Sequence, residues 1–97
     1  MPELSFSKAL EALKEGKRVA RKGWNGKDMF LYLTEGSIVP FDQLIGNCAK
    51  HITKESTGCD DACICEHIDM KAADGSIVVG WLASQTDMLS NDWYIVE

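Results

Sequence analysis

The chain has 97 residues, of which 45% are hydrophobic and 26% are charged, so we expect one small globular domain over residues 1–97 rather than a disordered tail or a fibre. Its 15 acidic residues outnumber the 10 basic ones, and the net charge of −5 argues against binding to duplex nucleic acid or to an anionic membrane. The charge is uneven, with +4 in residues 1–27 and −9 in residues 28–97, so an anion still finds a basic niche near Arg21.

The N-terminal half predicts one helix and two strands. Apolar residues recur at the spacing of one helical face: Phe6, Ala9, Leu10 and Leu13. Ser5 or Ser7 is placed to cap this amphipathic helix, and Gly16 is placed as its left-handed C-terminal residue. Residues 17–21 and 29–33 read as strands on either side of a glycine-bracketed turn.

The middle of the chain is less regular. Residues 38–45 are apolar but contain Pro40, which predicts an edge strand or a strand followed by a helical turn. Residues 46–66 show neither a helical nor a strand period and are longer than most connections, so we expect an inserted cysteine-rich loop.

The C-terminal third has sharper signals. Residues 67–72 and 76–79 flank Asp74-Gly75, a strong hairpin signal. Ser84 and Asp87 have the spacing of a capping box for a short helix, which a last strand at 92–96 follows. The predicted fold is α+β: an N-terminal amphipathic helix, a mostly antiparallel sheet, and a short C-terminal helix before the last strand.

The segment Arg21-Lys22-Gly23-Trp24-Asn25-Gly26 has the parts of a nucleotide site. Its cations suit phosphate, the indole offers a face to a base, and the amide suits a base edge. The alternative is a polar turn with one anchoring tryptophan.

The segment Trp81-Leu82-Ala83-Ser84-Gln85-Thr86-Asp87 leads from a strand into a capped helix start. Free amides and the positive end of a helix dipole favour an anion there, and the hydroxyls of Ser84 and Thr86 add donors. The alternative is ordinary capping with Trp81 in the core.

The cysteine loop is a third constellation, with the thiols Cys48, Cys59, Cys63 and Cys65. The start of the chain lacks the pattern of a signal peptide and no stretch approaches the ~20 apolar residues of a membrane span, so we expect a cytoplasmic protein with reduced thiols. Zinc is an alternative, since His51 lies in the same loop, but the spacing is not that of paired Cys-x2-Cys knuckles. His67, at the start of a strand, is expected to be packed or at the solvent edge rather than a ligand.

An enzyme is not expected. The two histidines lie in or beside the irregular loop, without a nucleophile elbow or a pair of carboxylates to complete a catalytic set. We expect no cofactor.

Three stretches and one dipeptide carry a family resemblance: residues 9–27, 29–33 and 68–89, and Asp92-Trp93. They resemble a family of small phage and prophage proteins whose characterised members are the second type of Thoeris anti-defence protein. The similarity covers nearly the whole chain outside residues 46–66, and its most specific parts are the Arg-Lys-Gly-Trp-Asn and Trp-Leu-Ala-Ser-Gln-Thr-Asp motifs.

The resemblance implies a sponge in the cytoplasm of an infected bacterial host. Such proteins form homotetramers, with pockets between protomers that bind glycocyclic ADP-ribose, a cyclic ADP-ribose isomer made by a TIR-domain sensor, without cutting it. By motif, Trp24 and Trp81 stack on the adenine. The expected polar contacts to phosphate, ribose and base edges are Arg21, Lys22, Asn25, Ser84, Thr86, Asp87, Asn91 and Asp92.

A thin core in so short a chain also favours an oligomer. The side chains expected at an apolar protomer interface are Phe30, Tyr32, Val78 and Trp93. One departure from the family pattern is Gly80, where we expect a proline, and we expect it to loosen the approach to Trp81. The cysteine-rich loop is a second departure.

Two other classes of function stay open. The chain could sequester other immune cyclic dinucleotides or trinucleotides through the same or a neighbouring pocket. It could instead inhibit a host protein through its acidic face, without an enzymatic step.

Overall fold

The computed structural model describes residues 3–97, and Met1 and Pro2 of the predicted domain lie outside that range. The elements in chain order are α1 (Phe6–Lys14), β1 (Arg18–Arg21), β2 (Phe30–Thr34), β3 (Ser37–Pro40), a 3-10 helix (Phe41–Gln43), α2 (Gly46–His51), α3 (Lys54–Thr57), β4 (Asp61–Ile64), β5 (His67–Lys71), β6 (Ile77–Val78), α4 (Gln85–Leu89) and β7 (Trp93–Val96). The predicted α+β fold is confirmed, with α1 ahead of the sheet and the short α4 ahead of the last strand.

Helix α1 begins and ends as its sequence predicts. Ser5 is the N-cap, and its hydroxyl accepts a hydrogen bond from the Lys8 amide at 3.3 Å. Gly16, just past the C-cap, has a φ of +88°, a left-handed conformation that favours glycine. The face with Ala9 and Leu13 is buried against the sheet.

The main sheet has five strands in the order β6-β5-β2-β1-β7, and every neighbouring pair is antiparallel. Val19 of β1 pairs with Leu31 of β2, and both side chains are fully buried. The buried core cluster consists of Ala9, Ala12, Leu13, Val19, Leu31 and Trp93. The core therefore lies between α1 and one face of this sheet.

The two predicted C-terminal motifs are also present. Strands β5 and β6 form a hairpin in which Gly75 has a φ of +92°. Ser84 accepts a hydrogen bond from the Asp87 amide at 3.0 Å, and the Asp87 carboxylate accepts one from the Ser84 amide at 3.3 Å, which completes the capping box of α4.

The described chain divides into two compact units. The sheet unit comprises residues 3–34 and 67–97, and the cysteine unit comprises residues 35–66. In the cysteine unit, β3 and β4 form a two-stranded antiparallel sheet, and the 3-10 helix follows β3 directly after Pro40. This agrees with the prediction of a strand followed by a helical turn.

The expectation that residues 46–66 form a loop without regular structure is wrong, because α2, α3 and β4 lie within this stretch. Local capping explains α3: Thr53 and Ser56 form a capping box, and Gly58 ends the helix with a φ of +72°. Helices of four and six residues with exposed surfaces leave no hydrophobic period in the sequence. The single domain over residues 1–97 stays a prediction.

The assignment of Trp93 to a protomer interface is also wrong. Its side chain has 0% exposure within one chain, because β7 places it under α1 in the core. Of the other side chains predicted at an interface, Phe30 and Tyr32 are half-buried and Val78 is exposed, so that prediction stays open for them.

Candidate functional site

Four aromatic rings meet in the sheet unit, and we call them the aromatic cluster: Phe6, Trp24, Trp81 and Trp93. The buried Trp93 lies at their centre, with ring centroids 5.4 Å from Phe6, 5.4 Å from Trp24 and 6.2 Å from Trp81. These spacings and tilted or edge-on geometries are those that aromatic rings prefer. Trp93 thus forms the base on which the two predicted ligand-binding tryptophans rest.

Trp24 and Trp81, which are 57 positions apart in sequence, contact each other edge-on. Their ring centroids are 6.4 Å apart and their planes meet at 64°. Both side chains are half-buried, so each packs on the core and keeps part of its surface open. At this angle the two indoles do not form a parallel sandwich.

Arg21, at the end of β1, makes an ion pair with each of two carboxylates. Its Nη1 donates to Asp87 Oδ1 at 2.7 Å, and its Nε donates to Asp92 Oδ1 at 2.9 Å. The Arg21 and Asp87 side chains are only 12% and 13% exposed. We call these three residues the ion-pair network.

Asp87 connects this network to the indoles. Its Oδ1 also accepts a hydrogen bond from Trp24 Nε1 at 3.2 Å, and its backbone carbonyl accepts one from Trp93 Nε1 at 2.9 Å. Because the same residue is in the capping box of α4, the start of that helix fixes the orientation of two tryptophans. The capping box occupies the Ser84 and Asp87 amides, which leaves fewer donors for an anion than an uncapped helix start would have.

Asp92 holds the turn that carries Trp24. Its Oδ2 accepts a hydrogen bond from the Gly23 amide at 2.8 Å, and its carbonyl accepts one from the Lys22 amide at 3.2 Å. A Cβ on Gly23 would lie 2.9 Å from Asp92 Oδ2 and 3.0 Å from Arg21 Nη2, so a side chain at this position would push the ion-pair network aside.

The charges of the network stabilise one another. The hydrogen bond with Asp92 is the largest cause of the raised pKa of Arg21, and the hydrogen bond from Arg21 is the largest cause of the lowered pKa of Asp92. Burial works to raise the pKa of Asp87, but hydrogen bonds from Arg21, Trp24 and Ser84 outweigh it, so this pKa is lowered too. One cation and two carboxylates leave the network with a net negative charge, which makes Arg21 a poor phosphate ligand on its own.

The other predicted polar residues are exposed beside the cluster. Lys22 and Asn25 flank Trp24 in its turn, Ser84 and Thr86 lie at the start of α4, and Asn91 precedes Asp92. The structure therefore brings the two tryptophans and the ion-pair network into one constellation, with these five residues along its connecting segments.

Sequence reasoning did not assign three residues to the candidate site that the structure places in it or next to it. Phe6 was assigned only to a helix face, and Trp93 to an interface. Asp69 went unnoticed, although it is buried with 4% exposure. An acidic residue between Ile68 and Met70 in a predicted strand is the signal that would have drawn attention to it.

The expectation that Gly80 loosens the approach to Trp81 does not agree with the structure, in which the Gly80 backbone is hydrogen-bonded. Its φ is +81°, and its amide donates a hydrogen bond to Asp69 Oδ1 at 2.8 Å. A proline would have neither this φ nor an N–H. The Trp81 amide then donates to the Ile68 carbonyl at 2.7 Å, so the segment is held at two consecutive residues.

The cysteines lie in the cysteine unit and all four are exposed. Cys48, Cys59 and Cys63 line a cavity of about 290 Å³. Among residues 3–97, no three or more His, Cys, Asp or Glu side chains are grouped so that they could hold a metal ion. His67 Nε2 lies 3.4 Å from Asp69 Oδ2.

No helix within residues 3–97 is long and apolar enough to cross a membrane.

Comparison with known proteins shows the family of the chain. The sequence profile of the Thoeris anti-defense 2-like domain matches residues 4–96. The chain is also 40% identical over 94 residues to a protein of Bacillus phage SP01 described as "Thoeris anti-defense 2", and the match covers 97% of this chain and 96% of that protein. The chain therefore belongs to the Thoeris anti-defense 2-like family, and its function is anti-defence against Thoeris.

Proposed function

We propose that the protein is a sponge for the Thoeris signal: it binds glycocyclic ADP-ribose, a TIR-derived cyclic ADP-ribose isomer, and sequesters it without cleavage. The observation that carries the proposal is the contact of Trp24 with Trp81, 6.4 Å apart and both half-buried, in a member of this family. A rigid, partly open indole pair is a stacking surface for a nucleobase.

The proposed roles divide between contact and support. Trp24 and Trp81 stack on the adenine, and Lys22 supplies a positive charge for the phosphates. The exposed amides and hydroxyls that contact ribose, phosphate and base edge are Asn25, Ser84, Thr86 and Asn91. Arg21, Asp87 and Asp92 already bond to one another and to the Gly23 amide of the turn. Their proposed role is therefore to hold the ligand-contacting side chains in place.

Sequestration rather than hydrolysis agrees with the chemistry of the network. A general base working near neutral pH needs a pKa close to that pH. The pKa values of Asp87 and Asp92 are lowered instead, so these carboxylates are weak bases beside the proposed ligand. We infer that the ligand is released intact.

A homo-oligomer, with a tetramer as the expected form, is part of the proposal. Large apolar side chains of the sheet unit are exposed in the single chain: Ile77, Val78, Val79, Leu82, Met88 and Leu89. Contact between protomers would cover such surface and enclose a ligand more fully than one indole pair can. The site of action is the cytoplasm of the infected host, where the signal is made.

Native mass spectrometry tests the proposal in one experiment. The purified protein is measured alone and with glycocyclic ADP-ribose, other cyclic ADP-ribose isomers, and cyclic dinucleotides and trinucleotides, and the bound ligand is then released by heat. We expect a tetramer that carries and returns intact glycocyclic ADP-ribose. Recovery of a cleaved product would show an enzyme, and a preference for a cyclic dinucleotide or trinucleotide would reassign the ligand.

Matched variants separate the pocket from the acidic surface. We expect Trp24→Ala and Trp81→Ala to abolish inhibition of Thoeris, while charge reversal at Glu55, Asp60 and Asp61 in the exposed part of the cysteine unit leaves it intact. The opposite pattern would favour inhibition of a host protein through the acidic face.

A further inference from the structure

Asp69 is a charged residue buried in the middle of β5, opposite Tyr32 of β2. A buried carboxylate is stable only when its oxygens are hydrogen-bonded. Thr34 Oγ1 donates to Oδ2 at 2.5 Å, and the Gly80 amide donates to Oδ1 at 2.8 Å. These bonds, chiefly the one from Thr34, lower the pKa of Asp69 and keep it ionised.

His67 Nε2 lies 3.4 Å from Asp69 Oδ2 as a third neighbour, but the two hydrogen-bond donors, Thr34 and Gly80, have different roles. Thr34 is on β2, which the sheet already holds against β5 by a five-residue register. Gly80 is outside any strand or helix, in a left-handed conformation, and a Cβ added there would meet nothing within 4 Å. Packing therefore does little to fix Gly80. The hydrogen bond from Gly80 to Asp69 matters more for the local backbone geometry than the hydrogen bond from Thr34 to Asp69 does.

The backbone on both sides of Trp81 has little packing support, although its ring packs in the aromatic cluster. Val79 is 71% exposed and Leu82 is 90% exposed, so the chain on both sides of Trp81 is open to solvent. The segment is tied to β5 by two backbone donors, Gly80 to Asp69 and Trp81 to the Ile68 carbonyl. The ring that emerges from it lies against the aromatic cluster.

We propose that Asp69 is a positioning residue for ligand binding: its carboxylate, buried in β5, holds the Gly80 amide and thereby sets the place of the Trp81 indole beside Trp24. Asp69 itself does not contact the ligand. This inference rests on the proposed function, since it assigns Trp81 the role of a stacking surface.

Asp69→Ala and Thr34→Val form a matched pair of variants. Asp69→Ala removes the carboxylate itself, and Thr34→Val removes only the hydrogen bond that the carboxylate accepts from Thr34. We expect both variants to lower the melting temperature. Only Asp69→Ala releases Gly80. We expect it to shift the Trp81 indole N–H resonance in a ¹H–¹⁵N spectrum, assigned with Trp81→Phe, and to weaken binding of glycocyclic ADP-ribose about tenfold. For Thr34→Val we expect the resonance to stay in place and the affinity to change by less than about twofold.

Two further variants keep the test open if Asp69→Ala does not fold. Asp69→Asn retains an oxygen that can accept the Gly80 amide, so we expect it to restore most of the affinity. Gly80→Ala strains the left-handed backbone at an exposed position and leaves Asp69 unchanged, so we expect it to shift the Trp81 resonance and weaken binding.

The outcomes distinguish this inference from the proposed function. If Asp69→Ala and Gly80→Ala leave the Trp81 resonance and the affinity of the folded protein unchanged, or shift the resonance without weakening binding, the positioning role is wrong while the sponge stands. If the wild-type protein binds no glycocyclic ADP-ribose, the proposed ligand is wrong, and a shifted Trp81 resonance in Asp69→Ala still supports the structural link.

Discussion

The sheet unit and the cysteine unit are stabilised in different ways. The sheet unit fully buries large side chains such as Leu13, Leu31 and Trp93 under α1. In the cysteine unit, Ala62 is the buried hydrophobic residue among those described, and the four thiols are exposed. The first unit has a core, whereas the second relies mainly on backbone pairing and on local caps.

The difference explains where a binding site can be built. Trp24, Trp81 and the ion-pair network come from distant parts of the sequence, and the shared core of the sheet unit holds them in fixed relation. In the cysteine unit, β3 pairs with β4, and α3 is capped by Thr53 and Ser56 from within three positions in sequence. Substitutions in the two units should therefore have effects of very different size.

The largest effect is expected from Trp93→Ala. This change leaves a cavity under three aromatic rings and removes the donor to the Asp87 carbonyl. We expect the free energy of unfolding to fall by about 3–5 kcal/mol, measured by urea denaturation. Ile38→Ala in the cysteine unit is the control, since Ile38 is 71% exposed and should cost less than about 0.5 kcal/mol. Equal losses would contradict the contrast between the units.

Arg21→Gln is expected to have the next largest effect. The variant leaves Asp87 and Asp92 without their cation, and we expect it to cost about 2 kcal/mol at neutral pH and to weaken the hold on Trp24. Arg18→Gln is a matched control on the same strand, because Arg18 is exposed and its guanidinium lies 4.9 Å from the Phe30 ring centroid. It should cost less than about 1 kcal/mol. Similar losses for both arginines in thermal unfolding would argue against a special role for the ion-pair network.

Acid should weaken the same network. The pKa values of Asp87 and Asp92 are lowered in the folded protein, so the unfolded chain takes up protons first as the pH falls. Their contribution is complete above about pH 5 and is lost as the pH falls below about 4 toward the folded-state values. We expect the melting temperature of the wild type to fall more steeply than that of Arg21→Gln between about pH 6 and pH 3. Parallel curves would show that Arg21 is not the cause of the lowered values.

The smallest effect on stability is expected at the cysteines. Because all four thiols are exposed, iodoacetamide should modify each of them in the native protein, as counted by mass spectrometry. Replacing the four with serine should change the free energy of unfolding of the sheet unit by less than about 0.5 kcal/mol. Thiols that react only in denaturant would mean that the cysteine unit is packed more tightly than its exposure indicates.

Sequence reasoning succeeded where the signal is local. Ser5 and Gly16 define the ends of α1, Asp74-Gly75 defines a hairpin, and Ser84 with Asp87 defines the start of α4. Each of these depends on residues within a few positions of one another. The two tryptophan motifs come from the same kind of local signal, and their role as a ligand site stays a prediction.

It failed where the structure depends on pairing over long distances or on very short elements. Arg21 bonds to carboxylates 66 and 71 positions away, which no local pattern reveals, so the sequence did not predict the ion-pair network. The assignment of these three residues as ligand contacts stays a prediction. The sequence shows that Trp93 is hydrophobic, but it does not show whether the side chain faces the core or a second protomer. Helices α2 and α3 are too short and too exposed to leave a period.

Isothermal titration of glycocyclic ADP-ribose into the wild type, Trp81→Ala and the four-serine variant measures whether the sheet unit binds the signal through Trp81. We expect nanomolar binding to the wild type, about −12 kcal/mol, and to the four-serine variant within about twofold. Trp81→Ala should weaken binding by about thirtyfold or more, since stacking on one base is lost. No binding by the wild type would show that the protein is not a sponge for this ligand, and equal binding by Trp81→Ala would show that the indole pair is not its site.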